Sequence, residues 1–255
     1  MSDPRILLAL DGGIARLTLN RPEKLNALDA EMVDDLAVRA REIERSDARV
    51  VILSGAGKAF CAGGDIEAWS DETPEAFGRH WVRDGHLAFD ALARLCQPVI
   101  AVLDGHALGG GLELAACADL RIAERQIKIG QPEPGLGIIP GWSGTQRTVR
   151  RFGAQTVRRM ALFGEVFTAD DALALGLVDQ VVGAGEAMAA AEAAAARVLG
   201  RSSRATELAK MMINAADGED PERIVEALAG TIAAAHPDLR EGLDAFRTKR
   251  RANFS

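Results

Sequence analysis

The sequence predicts an α/β domain followed by a helical C-terminal region, and three observations carry that expectation. Short apolar runs rich in Val and Ile alternate with stretches of helical apolar spacing. Two of these transitions pass through glycine clusters, at residues 55–64 and 109–111, and from Glu186 onward the pattern is helical throughout. With 255 residues, 48% of them hydrophobic, the chain is long enough for one large core plus an appendage. We place the core domain at residues 1–197 and the helical region at 198–255.

Residues 6–10 and 14–19 flank Asp11-Gly12-Gly13, the sequence form of a β-hairpin. Asn20-Arg21-Pro22 ends the second strand. Asp29 can then cap a helix with the apolar face Met32, Val33, Leu36, Ala40 and Ile43, ending near Ser46. Residues 50–53 form a buried strand, and the loop after it carries glycines 55, 57, 63 and 64. Thr73-Pro74-Glu75 starts a helix with Pro at its first position. Phe77, Trp81, Leu87, Leu92 and Leu95 are its core stripe, up to Pro98.

The central stretch comes next. Residues 99–103 are a β-branched strand buried on both faces, Gly109-Gly110-Gly111 make a turn, and a helix resumes at Leu112. Glycines there admit positive φ and let a ligand approach the main chain, while the first N–H groups of the helix point outward unpaired. A packing turn would need the same glycines. Glu113, beside those donors, is either acid/base equipment next to an oxyanion site or a helix-dipole partner. Residues 120–123 and 127–129 are short strands, and 131–141 is a loop holding one acid, Glu133. Helices follow at 143–152 and 154–162, Thr168 caps 170–175, and the Ala-rich 186–199 is an ordinary packed helix.

Composition narrows the function classes. The net charge of −7 argues against nucleic-acid binding but leaves room for a local basic cluster on a small anion. Cys61, Cys96 and Cys117 are odd in number and lack CxxC spacing, so they are expected to be reduced packing residues, with no zinc site. His80, His86, His106 and His236 have no triad or metal spacing, and His106 reads as a packing residue. No run of eighteen apolar residues and no secretory N-terminal pattern occur, so the expectation is a cytoplasmic chain with no membrane partner.

Taken together, the motifs resemble those of the enoyl-CoA hydratase/isomerase family, the crotonase superfamily, over essentially the whole chain. They are Asn20-Arg21-Pro22 with Asn26-Ala27-Leu28, Phe60-Cys61-Ala62-Gly63-Gly64-Asp65-Ile66, Gly109-Gly110-Gly111-Leu112-Glu113-Leu114, Gln131-Pro132-Glu133 and Gly137-Ile138-Ile139-Pro140-Gly141, in the family's order. The resemblance implies a spiral of ββα units with a C-terminal helical trimerisation region, a homotrimer or dimer of trimers, and an acyl-CoA substrate. No separate cofactor is implied, since coenzyme A belongs to the substrate.

The resemblance also implies roles. The N–H groups of Gly64 and Gly110 would hold the thioester oxygen, and Glu113 and Glu133 would be the acid/base pair of a hydratase. Gly141 would position the water. Ala62, Asp65, Ile66 and Lys24, with Lys58 a further phosphate candidate, would serve substrate binding. Phe246 and Lys249 would meet the adenine and phosphate end of CoA. Two departures are visible: Gly64 replaces the commoner Ala, and Trp142 replaces a small residue, so Trp142 either narrows the acyl pocket or packs in the core. The segment Glu67 to Trp81, which follows the first oxyanion turn, would form the wall near the acyl chain. Retention of both acids favours hydration over Δ3,Δ2-isomerisation or dehydration of a polar acyl-CoA. A non-catalytic CoA- or RNA-binding member is the remote alternative.

Overall fold

The structure, a computed structural model, describes residues 4–254; Met1, Ser2, Asp3 and Ser255, at the ends of the two expected domains, lie outside the described residues. The chain divides into two units, Met1–Leu208 and Ala209–Ser255.

The first unit opens on β1 (Ile6–Asp11) and β2 (Ile14–Leu19), antiparallel in the register Ile6↔Leu19 to Asp11↔Ile14. Gly12 and Gly13 both take positive φ, +57° and +81°, as a two-residue hairpin turn of matching twist requires. Helix α1 (Ala30–Glu44) is capped by Asp29, which accepts from the Met32 N–H, and buries the five residues of the expected face.

From here one unit repeats: β3 (Val50–Gly55) with β4 (Ala59–Cys61), β5 (Val99–Leu103) with β6 (His106–Leu108), and β7 (Leu120–Glu124) with β8 (Lys128–Gly130). Each pair delivers its first strand to a six-stranded sheet, ordered β1-β2-β3-β5-β7-β10, and its second to a four-stranded sheet, ordered β4-β6-β8-β9, before the chain leaves into helix. The intervening helices are α2 (Ile66–Trp69), α3 (Pro74–Ala76), a π turn over Phe77–Val82 running into α4 (Arg83–Ala93), and α5 (Gly110–Ala115). After a 3-10 turn at Glu133–Leu136 come α6 (Arg147–Phe152), α7 (Ala154–Phe163), β9 (Val166–Thr168), α8 (Ala169–Ala174), β10 (Gln180–Val182) and α9 (Ala187–Leu199).

Strands β3 and β5 are buried at every position, which is why they read as unbroken apolar runs and not as alternating ones. Their alternate residues nonetheless part company. Val51, Leu53, Val99, Ala101 and Leu103 join the main core with α1 and α4, whereas Val50, Ile52, Ile100 and Val102 meet Ala187, Ala191, Ala194 and Ala195 of α9. The alanine content of α9 is thereby explained, because small side chains let the helix lie close on the β-branched sheet face.

Several expectations need correction. Strands β4, β6, β9 and β10 are three residues each and were not expected; the first two sit inside the glycine-rich loops. Leu87 is 67% exposed, and Ala88 and Phe89 take its place in the core, since a residue five positions before Leu92 points to the opposite side of the helix. Helix α6 starts at Arg147 instead of near Ser143, whose φ of +71° is left-handed and breaks the helix. His106 is exposed; its Nδ1 accepts from the Lys128 N–H at 3.0 Å.

In the second unit, α11 (Pro221–Ala235) and α12 (Pro237–Thr248) follow α10 (Ser203–Ala216), which spans the division. Arg250 folds back onto Glu241 and Asp244 of α12. Among the described residues no helix is long and apolar enough to cross a membrane.

Candidate active site

Parallel pairing of β4, β6 and β8 explains how distant motifs meet. The registers Cys61↔Ala107 and Leu108↔Gly130 set the C-terminal ends of the three strands side by side. Each strand then hands on to its own motif: Ala62-Gly63-Gly64 after β4, Gly109-Gly110 and helix α5 after β6, Gln131-Pro132-Glu133 after β8. Ligands commonly sit beyond the carboxyl ends of parallel strands for this reason.

The two glycine turns touch. Gly63 takes φ +108° and Gly109 φ +54°; a Cβ on Gly110 would lie 3.4 Å from the Gly64 nitrogen, and one on Gly63 would lie 3.4 Å from the Gly110 nitrogen. Among the described residues neither the Gly64 N–H nor the Gly110 N–H donates to an acceptor: the bonds around Gly64 run from Leu28 to Gly63 and from Asp65 to Leu28, and Gly110 opens α5. Two free donors from adjacent turns thus share one space.

Glu113 lies in the first turn of α5 and is 2% exposed; Glu133 is 8% exposed. The Glu113 Oε1 accepts from the Trp142 N–H at 2.8 Å, and the Gly144 N–H also donates to this carboxyl. Both oxygens of Glu133 are buried without a hydrogen-bond partner, and Oε1 is 3.1 Å from where a Cβ on Gly109 would stand. Burial, reinforced by the charge of Glu133, pushes the Glu113 pKa up to about 8 against the pull of the two N–H groups and of Arg147. Burial pushes Glu133 up to about 7.

These groups line a single cleft open on one side, with about 610 Å³ of empty space that includes its solvent-filled mouth. Of the sequence-nominated residues, Glu113, Glu133, Gly64, Gly110, Gly141, Ala62, Ile66 and Trp142 border it. The N–H groups that reach Glu113 belong to Trp142 and Gly144, one and three positions after Gly141. Asp65 and Lys24 do not border it. The Asp65 carboxylate accepts from Arg21 at 2.6 Å and from the Glu67 N–H, so it fastens the Asn20-Arg21-Pro22 motif to the glycine turn. Lys24 pairs with Glu67 at 2.6 Å on the exposed surface. Lys58 is exposed. In the second unit Phe246 is 83% exposed and Lys249 ends α12 in the left-handed conformation, φ +53°.

Trp142 answers to both of its expected readings. It is 3% exposed, packs at a tilt against Trp81 and edge-on against Phe89 at centroid separations of 4.9 and 5.2 Å, and donates from Nε1 to the Trp81 carbonyl at 3.0 Å. The same ring also borders the cavity and backs the donor glycines, its Cζ3 being 2.9 Å from a Cβ placed on Gly110. Gly85 of α4 exists as glycine for this ring, since a Cβ there would overlap the indole.

The segment from Glu67 to Trp81, expected to wall the acyl chain, supplies Trp69, Phe77 and Trp81 to the cavity. Sequence reasoning missed the rest of the apolar wall, Val82, Leu136, Ile138 and Ile139, the last three because they stand in an irregular loop with no period to mark them. Gln131 was also missed as an individual; it is fully buried and donates from Nε2 to the Gly144 carbonyl at 3.0 Å, bracing the turn that holds Glu113. Among the described residues no group of three or more His, Cys, Asp or Glu could hold a metal ion.

Comparison with known proteins places this arrangement. The family model for enoyl-CoA hydratase/isomerase matches residues 10–255. The chain is 36% identical to a crotonyl-CoA hydratase of Syntrophomonas wolfei, over all of this chain and 99% of the relative. It is 40% identical to a short-chain-enoyl-CoA hydratase of Clostridium acetobutylicum, over 82% and 80%. Among solved structures it resembles Pseudomonas aeruginosa DspI, with a TM-score of 0.81 at 33% identity over 98% and 97% of the two chains. An enoyl-CoA hydratase from Bacillus anthracis gives 0.79 at 32% identity over 98% of each.

Proposed function

Because this chain belongs to the enoyl-CoA hydratase/isomerase family, we propose that its cavity receives the acyl end of a 2-enoyl-CoA and that Glu113 and Glu133 add water across the 2,3 double bond. The protein is a hydro-lyase of the enoyl-CoA hydratase type, with the crotonase fold. The observation that carries the residue assignment is the meeting of two buried carboxyls with two free backbone donors in one apolar cavity.

The thioester oxygen sits between the Gly64 and Gly110 N–H groups. As water attacks Cβ, electron density moves through Cα to that oxygen, and donors already in place stabilise the enolate that forms, each worth roughly 10²–10³ in rate. Glu113 takes the proton from the attacking water; Glu133 gives one to Cα, and the reverse reaction exchanges the roles. The protonation states suit this division. The pair carries a proton near neutrality, because burial raises both carboxyls. Glu113 stands the higher of the two while Glu133 is charged, but the N–H groups of Trp142 and Gly144 favour its anion and no neighbouring residue donates to Glu133, so hydration uses the arrangement with the shared proton on Glu133. Once it is there, the Glu133 charge no longer opposes ionisation of Glu113.

The direct test is absorbance of the conjugated thioester on mixing with crotonyl-CoA. Loss of absorbance with formation of the 3-hydroxyacyl-CoA is expected; no change with any chain length would point to isomerisation, dehydration of a polar acyl-CoA or a non-catalytic role.

Assembly as a homotrimer or dimer of trimers is part of the same reading. Val225, Ile232, Leu239, Leu243 and Phe246 on α11 and α12 are each at least 44% exposed, more apolar surface than a small helical unit ordinarily leaves in water. In such an assembly Phe246 and Lys249 are candidates for the nucleotide end of a CoA bound by a neighbouring subunit. Light scattering at micromolar concentration is expected to give a multiple of three chain masses, and a monomeric mass would contradict it.

A further inference from the structure

Behind Glu113 lies a charge that the hydration scheme does not use. Arg147 is fully buried, the largest side chain among the described residues to be so. Its Nη2 donates to Asp90 of α4 at 2.6 Å, and its Nη1 reaches the Cys117 sulfur at 3.5 Å. That thiol in turn donates to the backbone carbonyl of Glu113 at 3.5 Å, one helical turn earlier. Arg147 also lies at the end of the turn that holds the Glu113 carboxyl: its N–H donates to the Ser143 carbonyl at 2.9 Å. Helix α4 grips this turn twice, through Asp90 on Arg147 and through His86, whose Nδ1 is 3.0 Å from the Ser143 hydroxyl. The double grip is needed because Ser143 is held at φ +71°, a conformation that costs a non-glycine residue energy unless its surroundings impose it.

We propose that Arg147 is a positioning residue for hydration: clamped by Asp90 behind residues 142–144, its buried charge holds Glu113 in place as the anion that accepts the proton of water. The proposal rests on the hydratase reading of Glu113. A buried cation favours the ionised form of a carboxyl in its field, and Arg147 does draw the Glu113 carboxyl down, though less than burial and Glu133 raise it. The other ionisable groups near Glu113 do not supply that help. Glu133 raises it, and the Cys61 thiol on β4 stays neutral, pushed up to about 12 by burial. His86 is half-buried, and burial lowers its pKa, so at neutral pH it brings hydrogen bonding to Ser143 and not charge. Asp90 faces Arg147 and opposes its field, and Arg94, one turn further on at the end of α4, pairs with the other Asp90 oxygen at 3.0 Å.

The test is the pH dependence of kcat/KM for crotonyl-CoA in the full-length protein, comparing wild type with Arg147→Met, Arg147→Lys and Asp90→Asn. Arg147→Met is expected to move the acid-side limb up, by less than the roughly one to three pH units of a directly paired charge, because Arg147 is itself paired with Asp90. Arg147→Lys keeps the charge and is expected to leave the limb in place even if kcat falls. Asp90→Asn removes the opposing anion and is expected to move the limb down; if Arg147→Met does not fold, this variant decides. Coincident limbs in wild type and Arg147→Met, or an equal shift in Arg147→Lys, would overturn the proposal, as would an upward shift or none in Asp90→Asn. An inactive wild type would instead sink the hydratase reading, so the two failures are distinct.

Discussion

Replacing Glu113 or Glu133 by Gln is expected to lower kcat/KM for crotonyl-CoA by roughly 10²–10⁴ each, the contribution of a positioned acid or base, while CoA binding stays within a few-fold. The double variant is expected to lose little more than the worse single one, since the two act as a unit on one water. Near-normal turnover in either single variant would end this assignment. Stability should move the other way for Glu113→Gln. A carboxyl whose folded pKa stands above its ordinary value keeps its proton longer when folded, so folding stability falls as pH rises from about 4.5 towards 8. Gln cannot ionise, and its carbonyl can still accept from the Trp142 N–H. Thermal melts at pH 5 and pH 9 are therefore expected to show a steep loss in the parent and a flatter one in Glu113→Gln. Parallel losses would mean that this carboxyl is not buried as described.

Trp142→Ala is the second large effect. The ring fills space between Trp81 and Phe89 and is nearly inaccessible, so truncation should cost about 3–5 kcal/mol, as for other buried aromatic deletions. Denaturant unfolding measures it directly; a loss below about 1 kcal/mol would mean that the site collapses without strain. The vacated volume borders the substrate cavity. Among enoyl-CoAs from C4 to C16, the ratio of kcat/KM values is expected to shift towards longer chains in the variant. An unchanged length profile would confine Trp142 to packing and to backing Gly64 and Gly110.

Much of the fold was legible in the sequence where one physical signal dominated. The Asp29 cap with a five-residue apolar face, and the diglycine hairpin, each have a local cause and came out as expected. Strands β4 and β6 were illegible because three residues between glycines carry no period, and they become strands only by pairing with each other and with β8. The residues that end up lining the cavity include both glutamates and both glycine turns singled out in the sequence. Lys24 and Asp65 stand elsewhere because a charge has no address in sequence; here Glu67 and Arg21 claim them. Arg147 was passed over for a related reason. An arginine within an Arg-rich, apparently solvated segment gives no sign that it is fully buried until Asp90, 57 positions away, is brought against it.

The π turn at Phe77–Val82 gives the cavity wall an unusual kind of adjustability. A π turn holds one residue more than the α-helix around it, so loss of a single residue there can be absorbed as ordinary helix. The segments on either side would then keep their bearings, because the wide turn already holds the extra residue apart from the helical register. Phe77 and Trp69, which meet edge to face at 5.3 Å, would still face the cavity. Substitutions change the size of a wall residue by degrees; loss of one residue between Phe77 and Trp81 would instead draw those two wall residues together without turning either away from the site.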